Sequence, residues 1–272
     1  MGVVNVTPDS FSDGGQWFCE QDAIAHGLEL ASQGADIVDV GGESTRPGAQ
    51  RISADEELRR AGPVVAALAE AGVLVSIDTM RSPVAEFALR AGARMVNDVS
   101  GGQADPAMGV LVARAKVPFV VMHWRGHSAR MQQRAVYADV VSEVRDELAC
   151  RVAALISAGV SQEQLIVDPG LGFAKLPEHN WALLASLLEI GCLPGYATPF
   201  PVLIGASRKR FISRLLAGQD EAPRPFAGCD DATVALTALA AAGGAWCVRV
   251  HAVPGNLDAV RVAARWRRER PQ

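Results

Sequence analysis

"LIVDPGLGFAK", residues 165–175, sets the reading of the whole chain. Leu165, Ile166 and Val167 form a short apolar run of the kind that makes a strand buried on both faces. Asp168 ends the run, and the Pro169-Gly170 pair behind it cannot open a helix directly. The carboxylate is therefore expected at a strand end, pointing into the space the sheet encloses. Seven other runs share this build: "GVVNV" (2–6), "DIVDV" (36–40), "VLVSID" (73–78), "MVND" (95–98), "PFVVMH" (118–123), "PVLIG" (201–205) and "CVRVH" (247–251). Between them lie stretches such as "ADEELRRAGPVVAALAEAG", "PVAEFALRAG" and "EHNWALLASLLEIG", with apolar residues at helical spacing and several closed by Gly.

Strands alternating with helices predict a parallel sheet, and a count of eight favours an α/β fold closed as a (β/α)8 TIM barrel, one domain over 1–272. A doubly wound open sheet is the alternative, but no GxGxxG follows the first strand. "AGQDEAPRPFAGCDD" (217–231) reads as a long polar insertion between a strand and its helix.

The 272 residues are 49% hydrophobic and 21% charged, an ordinary globular balance. A net charge of -4 gives no basic footprint for nucleic acid or an anionic membrane. No apolar run approaches the ~20 residues needed to span a bilayer, and the first residues show no basic segment followed by an apolar h-region. Five cysteines, scattered and never spaced as CxxC, read as reduced thiols in a cytoplasmic protein. Basic residues are almost all Arg, the only lysines being Lys116, Lys175 and Lys209.

In a barrel of this kind the site forms at the C-terminal ends of the strands. Those ends carry Asn5, the "GGESTRPG" loop (41–48), Asp78, Asn97 with Asp98, His123, Asp168, "SRK" (207–209), and Arg249 with His251. Asp78 and Asp168 could each cap a following helix, yet both precede non-helical punctuation. His123 reads as a core histidine with a satisfied ring nitrogen. Arg249 and His251 alternate along the last strand and so share a face; the competing reading pairs Arg249 with an interior carboxylate. Ser207, Arg208 and Lys209 stand where a helix begins, a setting suited to a carboxylate or phosphate. The residues thus outline two surfaces. Asp78, Asn97 and Asp168 suit a polar planar ring, and Arg46, Arg208, Lys209, Arg249 and His251 form a cationic rim for anions. No His/Asp/Glu group has metal-ligand spacing, so a divalent ion would be shared with a phosphate ligand.

"NVTPDSFSDGG", "DVGGESTRPGA", "SIDT", "NDVSGG", "DPGLGFAK", "GASRKRF" and "RVH" resemble, in order and on the same strands, the successive loops of the dihydropteroate synthase family. The resemblance covers essentially the whole chain. It implies a TIM barrel that joins 6-hydroxymethyl-7,8-dihydropterin diphosphate to p-aminobenzoate in folate synthesis, with release of diphosphate. It further implies a Mg²⁺-dependent transferase, cytoplasmic and homodimeric, inhibited by sulfonamides that mimic p-aminobenzoate.

Roles follow from the same resemblance. Asp168 would pair with the amino-pyrimidine edge of the pterin, with Asn97 and Lys209 on the ring. Val99, Met122 and Phe173 would be its apolar walls, and Gly205 would give it room. Asp78 would stabilise cation developing as the diphosphate leaves. Asn5, Arg46, Arg249 and His251 would hold the diphosphate, with Asn5 also near Mg²⁺. Thr45, Arg46, Pro47, Ser207 and Arg208 would shape the p-aminobenzoate site. The first loop would close as a lid between Asp9 and Asp13, Asp13 acting through Mg²⁺ or a basic partner and Phe11 packing on the p-aminobenzoate ring. Family members usually carry a stretch ahead of the first strand; this chain begins on that strand, with the expected effect on stability more than activity. Rival readings are an inactive pterin-binding paralogue, a methyltetrahydrofolate–corrinoid methyltransferase, which has no use for the Arg249–His251 pair, and a Schiff-base aldolase using Lys209.

Overall fold

The computed structural model describes residues 1–7, 20–46, 48–127, 131–219 and 221–269. Its strands are β1 (Gly2–Asn5), β2 (Val38–Gly41), β3 (Val75–Asp78), β4 (Met95–Asp98), β5 (Phe119–Met122), β6 (Leu165–Asp168), β7 (Leu203–Ile204) and β8 (Cys247–Val248). Helices α1 (Glu20–Ser32), α2 (Ala54–Glu70), α3 (Ser82–Arg90), α4 (Ala107–Ala115) and α5 (Val140–Ser157) alternate with the first six strands. Then come α6 (Pro177–Ala185), α7 (Leu187–Gly191), α8 (Arg210–Leu215), α9 (Asp230–Ala242) and α10 (Val253–Arg268).

Strands β1 to β6 pair in parallel in chain order, and β7 pairs in parallel with β8. Two single parallel bridges complete the ring, Val167 with Val202 and Gly2 with Val250. At the second seam the Met1 ammonium donates to the Val248 carbonyl at 3.0 Å, and Val250 N–H donates to Met1 O at 2.9 Å. The eight-stranded barrel expected from the alternating pattern is therefore present. Strand limits differ: the second strand is Val38–Gly41 and the last is reduced to Cys247–Val248 plus the Val250 bridge. "EHNWALLASLLEIG" divides at Ser186 into α6 and α7. The polar 217–231 segment does not lie directly between a strand and its helix, because "RFISRL" first forms α8 and the segment then runs on to α9.

Alternation along the strands creates two apolar environments. Val4, Val38, Val40, Val75, Ile77, Val96, Phe119, Val121, Leu165 and Val167 join the large core beneath the helices. Their neighbours Met95, Val120, Ile166 and Leu203, with Met1, Ile37 and Cys247, form a separate cluster that plugs the barrel from inside. That plug sits at the N-terminal ends of the strands and leaves the opposite end for other chemistry.

Candidate functional site

Two residues further along, the inward face of most strands turns polar or opens at a glycine. Ile37 is succeeded by Asp39, Ser76 by Asp78, Met95 by Asn97, Ile166 by Asp168, Leu203 by Gly205 and Cys247 by Arg249. In-register pairing sets Gly41 beside Asp78, Asp78 beside Asn97, and Met122 beside Asp168. The floor of the site is thus made by strand backbone, the least mobile scaffold the fold offers.

Asp39 organises this layer. Its fully buried Oδ2 accepts from Arg249 Nε at 2.7 Å and from Asn97 Nδ2 at 2.9 Å, while its Oδ1 is buried without a partner. Arg249 reaches on to Asp78 Oδ2 at 2.9 Å. Arg249 is therefore paired with interior carboxylates, the competing reading of its place on the strand, and one of them, Asp39, lies inside the "DIVDV" run instead of at its end. Burial, reinforced by the carboxylates of Asp39, Glu57 and Asp98, pushes Asp78 above the ordinary carboxylate range despite the opposing pull of Arg249. Burial alone would push Arg249 down, but its two aspartates raise it, so the guanidinium stays charged.

On the far side, Asp168 turns inward instead of capping a helix: its Oδ1 accepts from Gly170 N–H at 2.7 Å. Gly170 is held at φ +69, where an added Cβ would stand 2.4 Å from the His123 carbonyl oxygen, so no side chain fits. Burial raises the pKa of Asp168, and Lys209 opposes it most among the neighbouring charges. Lys209 donates from Nζ to the Leu171 carbonyl and lies 5.1 Å from the Phe173 ring centroid. Burial brings Lys209 down to about 8, with Asp168 restoring part of the shift. A Cβ on Gly205 would lie 3.8 Å from Lys209 Nζ and 3.9 Å from Arg249 Cβ, which puts this glycine between the two cations.

The wall between these groups is apolar. Met80, Val99 and Met122 form a small cluster of their own, with Trp124 and Phe173 against it. Beside it, His123 is buried, with Nδ1 3.0 Å from Lys175 Nζ and Nε2 2.9 Å from Glu147 Oε2. Burial and Lys175 lower His123 to about 4, and burial lowers Lys175 to about 7. His123 is the satisfied core histidine its position suggested. Asp98 also ends a strand, but its carboxylate turns back to accept from Ser100 N–H and Oγ–H at 2.7 Å and Gly102 N–H at 2.9 Å. It shapes its own loop.

The anion-facing rim is more divided than the sequence suggested. His251 Nδ1 lies 3.0 Å from Ser207 Oγ. Burial, then the cations Arg208, Arg249, Arg46 and Lys209, drives its ring well below its ordinary value. His251 is a neutral hydrogen-bonding group there, and the charge comes from its neighbours. Arg208 is engaged with Asp230 at the start of α9, at 3.2 Å through Nε and 3.1 Å through NH2. Asn5 at the end of β1 and Thr45 and Arg46 in the loop after β2 are half-buried. Phe11, Asp13 and Pro47 lie outside the described residues, as does the 9–13 segment expected to act as a lid. Among the described residues no three His, Cys, Asp or Glu side chains group to hold a metal ion unaided.

The loop after β2 is fixed by a network that the motif did not reveal. Glu43 accepts from Ile52 N–H at 3.1 Å, Arg51 Nε at 3.1 Å and Arg81 NH2 at 2.7 Å. Arg81 also pairs with the buried Glu57 of α2 and donates to the Ile52 carbonyl. Glu57 sits in a helical pattern that reads as solvated, and only a long-range contact could have exposed its role.

Residues 1–251 match the family model described as pterin binding enzyme. Relatives agree along the full length. A dihydropteroate synthase of Mycobacterium leprae is 55% identical over 273 residues, covering 100% of this chain and 94% of that protein. One from Synechocystis is 43% identical over 269 residues, with 98% and 90% covered. Among solved structures, the Yersinia pestis dihydropteroate synthase with a sulfonamide drug complex superposes with a TM-score of 0.91 at 36% identity, covering 98% of this chain and 94% of the other. The Xanthomonas albilineans enzyme in complex with 7,8-dihydropteroate gives 0.83 at 39%, with 100% and 94% covered. On its motifs, its barrel and these relatives, the chain belongs to the pterin-binding enzyme family.

Proposed function

We propose that this protein is a folate-pathway transferase that condenses 6-hydroxymethyl-7,8-dihydropterin diphosphate with p-aminobenzoate to give 7,8-dihydropteroate and diphosphate. The observation that carries the reading is the inner polar layer itself: Asp168, Asn97, Asp78 and Lys209 surround an apolar wall of Met122, Val99 and Phe173. A pterin needs that combination, a flat ring with a donor and acceptor edge. Asp168 accepts from the amino-pyrimidine edge, Asn97 and Lys209 meet the remaining ring atoms, and Gly205 leaves space beside them.

The chemistry needs no protein nucleophile. The carbon–oxygen bond to diphosphate breaks, the p-aminobenzoate nitrogen bonds to the same carbon, and that nitrogen gives up a proton. Burial favours a protonated Asp78, and its ion pair with Arg249 at 2.9 Å supports the carboxylate form; in that form its negative charge would offset the cation that develops as the bond breaks, a stabilisation felt mainly in the transition state. Arg249, His251 and Arg46 receive the diphosphate. Thr45, Pro47, Ser207 and Arg208 frame the second substrate, with Arg208 holding its loop to α9 through Asp230. Phe11 and Asp13 are assigned to the lid that closes on p-aminobenzoate. Sulfonamides, which share the shape of p-aminobenzoate, would compete at that place.

A Mg²⁺ ion fits this donor set as a shared ligand. Asn5 at the end of β1 offers one hard oxygen, and such an ion takes most of its remaining ligands from phosphate oxygens and water. Bound there, it would neutralise charge on the leaving group. We also assign the protein to the cytosol, from its odd number of scattered cysteines, a placement that cell fractionation checks; among the described residues no helix is long and apolar enough to cross a membrane.

Homodimerisation is supported by large apolar side chains left exposed near the end of the chain, Leu239 on α9, Trp246, and Val262 and Trp266 on α10. The activity test is diphosphate release from purified protein given Mg²⁺, pterin diphosphate and p-aminobenzoate. Release is expected only with both substrates present; pterin binding without release would make the chain an inactive paralogue. Light scattering on the same sample should give twice the chain mass, and a monomer would end the dimer assignment.

A further inference from the structure

We infer that Glu43, acting through Arg81, is a positioning residue that presets the β2 loop for the second substrate. The inference rests on the reading of that loop as the p-aminobenzoate site. The loop leaves β2 at Gly41 and ends at Ser53, the N-cap of α2, whose side chain accepts from Glu56 N–H at 3.2 Å. Between these anchors run Thr45 and Arg46, neither in a helix or strand, with Ala49 N–H donating to the Arg46 carbonyl at 3.0 Å. Glu43 closes the loop across its base. One carboxylate oxygen takes Arg51 Nε, and the other takes both the Ile52 amide and Arg81 NH2. The side chain of Glu43 is only 5% exposed, so these charge-assisted contacts are weakly screened.

Arg81 gives the clamp a second purpose. It follows Asp78, Thr79 and Met80 in the loop after β3, and its own N–H donates to Thr79 Oγ1 at 3.1 Å. Asp78 and Met80 border the pterin pocket, so Arg81 ties the pterin side of the site to the loop of the second substrate. Its NH1 pairs with Glu57, and the NH2 that meets Glu43 also donates to the Ile52 carbonyl, which spreads the tie over α2 and the end of the loop. A loop tied at both of its ends has fewer conformations to give up when the substrate arrives, and binding supplies less of that entropy.

The test is Glu43→Gln, which keeps the shape and an acceptor for Ile52 N–H while removing the charge that Arg81 and Arg51 meet. The KM for p-aminobenzoate should rise about tenfold, as befits loss of a charge-assisted bond, while the pterin dissociation constant stays within about twofold. Arg51→Met, which removes the more exposed partner and leaves Arg81 in place, should raise the same KM by less. Retained pterin binding shows that each variant is folded. An unchanged KM for p-aminobenzoate in Glu43→Gln overturns the inference, and so does an equal loss of pterin affinity, which marks a general structural role. Turnover by the parent protein separates the two levels. An active parent with an insensitive variant sinks the inference alone, whereas a parent that never uses p-aminobenzoate sinks the reading and the inference together.

Discussion

The lower and upper halves of the barrel interior come from the same strands, two residues apart, and have opposite economies. Below, Ile37, Met95, Val120, Ile166, Leu203 and Cys247 remove apolar surface from water and fill the ring. Above, Asp39, Asp78, Asn97 and Arg249 are desolvated and hold one another, with Asp39 Oδ1 still lacking a partner, while the buried Asp168 is held by Gly170 N–H. Buried charge clusters of this kind are often no more stabilising than apolar residues of the same volume. The contrast assigns stability to the lower layer and ligand recognition to the upper one.

Substitution in each layer tests that division. Met95→Ala opens a cavity in the plug and should cost about 2–5 kcal/mol in denaturant unfolding, with pterin affinity of the folded fraction unchanged. Asp168→Ala should do the reverse. It leaves ring donors of a bound pterin unpaired at ~1–3 kcal/mol each, so calorimetric affinity collapses while the unfolding midpoint hardly moves. If Asp168→Ala unfolds the protein as readily as Met95→Ala, or binds pterin as before, the two layers do not divide the work.

A smaller effect sharpens the comparison at the boundary, where His123 is buried beside the pocket. Its folded value of about 4 lies below the ordinary histidine value of 6.5, so the unfolded chain takes up the proton first. Its contribution to stability is complete above 6.5 and is lost as pH falls through that window. Across the whole window the loss should be on the order of 3 kcal/mol, read as the difference in acid-induced destabilisation between the parent and His123→Gln. Identical pH profiles would mean that His123 does not titrate in this way.

Much of the architecture could be read from strand patterning, because a parallel barrel repeats one local rule and each strand end announces itself. The site was legible where polarity interrupts an apolar run at its end, as at Asp78 and Asp168. It was not legible at Asp39, which lies inside "DIVDV"; only its place on the same face as Ile37 and Gly41 marks it as inward. Glu57 escaped for a different reason. A glutamate among "DEELRR" looks solvated until Arg81, 24 residues on, closes over it. Arg208 shows the converse, a rim candidate by position whose side chain is taken by Asp230, a partner on another element.

The ring has two thin seams, each joined by a single bridge, one between β6 and β7 and one between β8 and β1. Asp39 and Asp78 ride on the six-stranded arc, whereas Arg249 rides on the two-stranded one. The guanidinium is therefore a stitch as well as a charge, its two ion pairs crossing from one arc to the other. An anion that draws Arg249 toward itself also loosens the suture. By this one side chain, the charge that faces the mouth is also one that holds the barrel wall together.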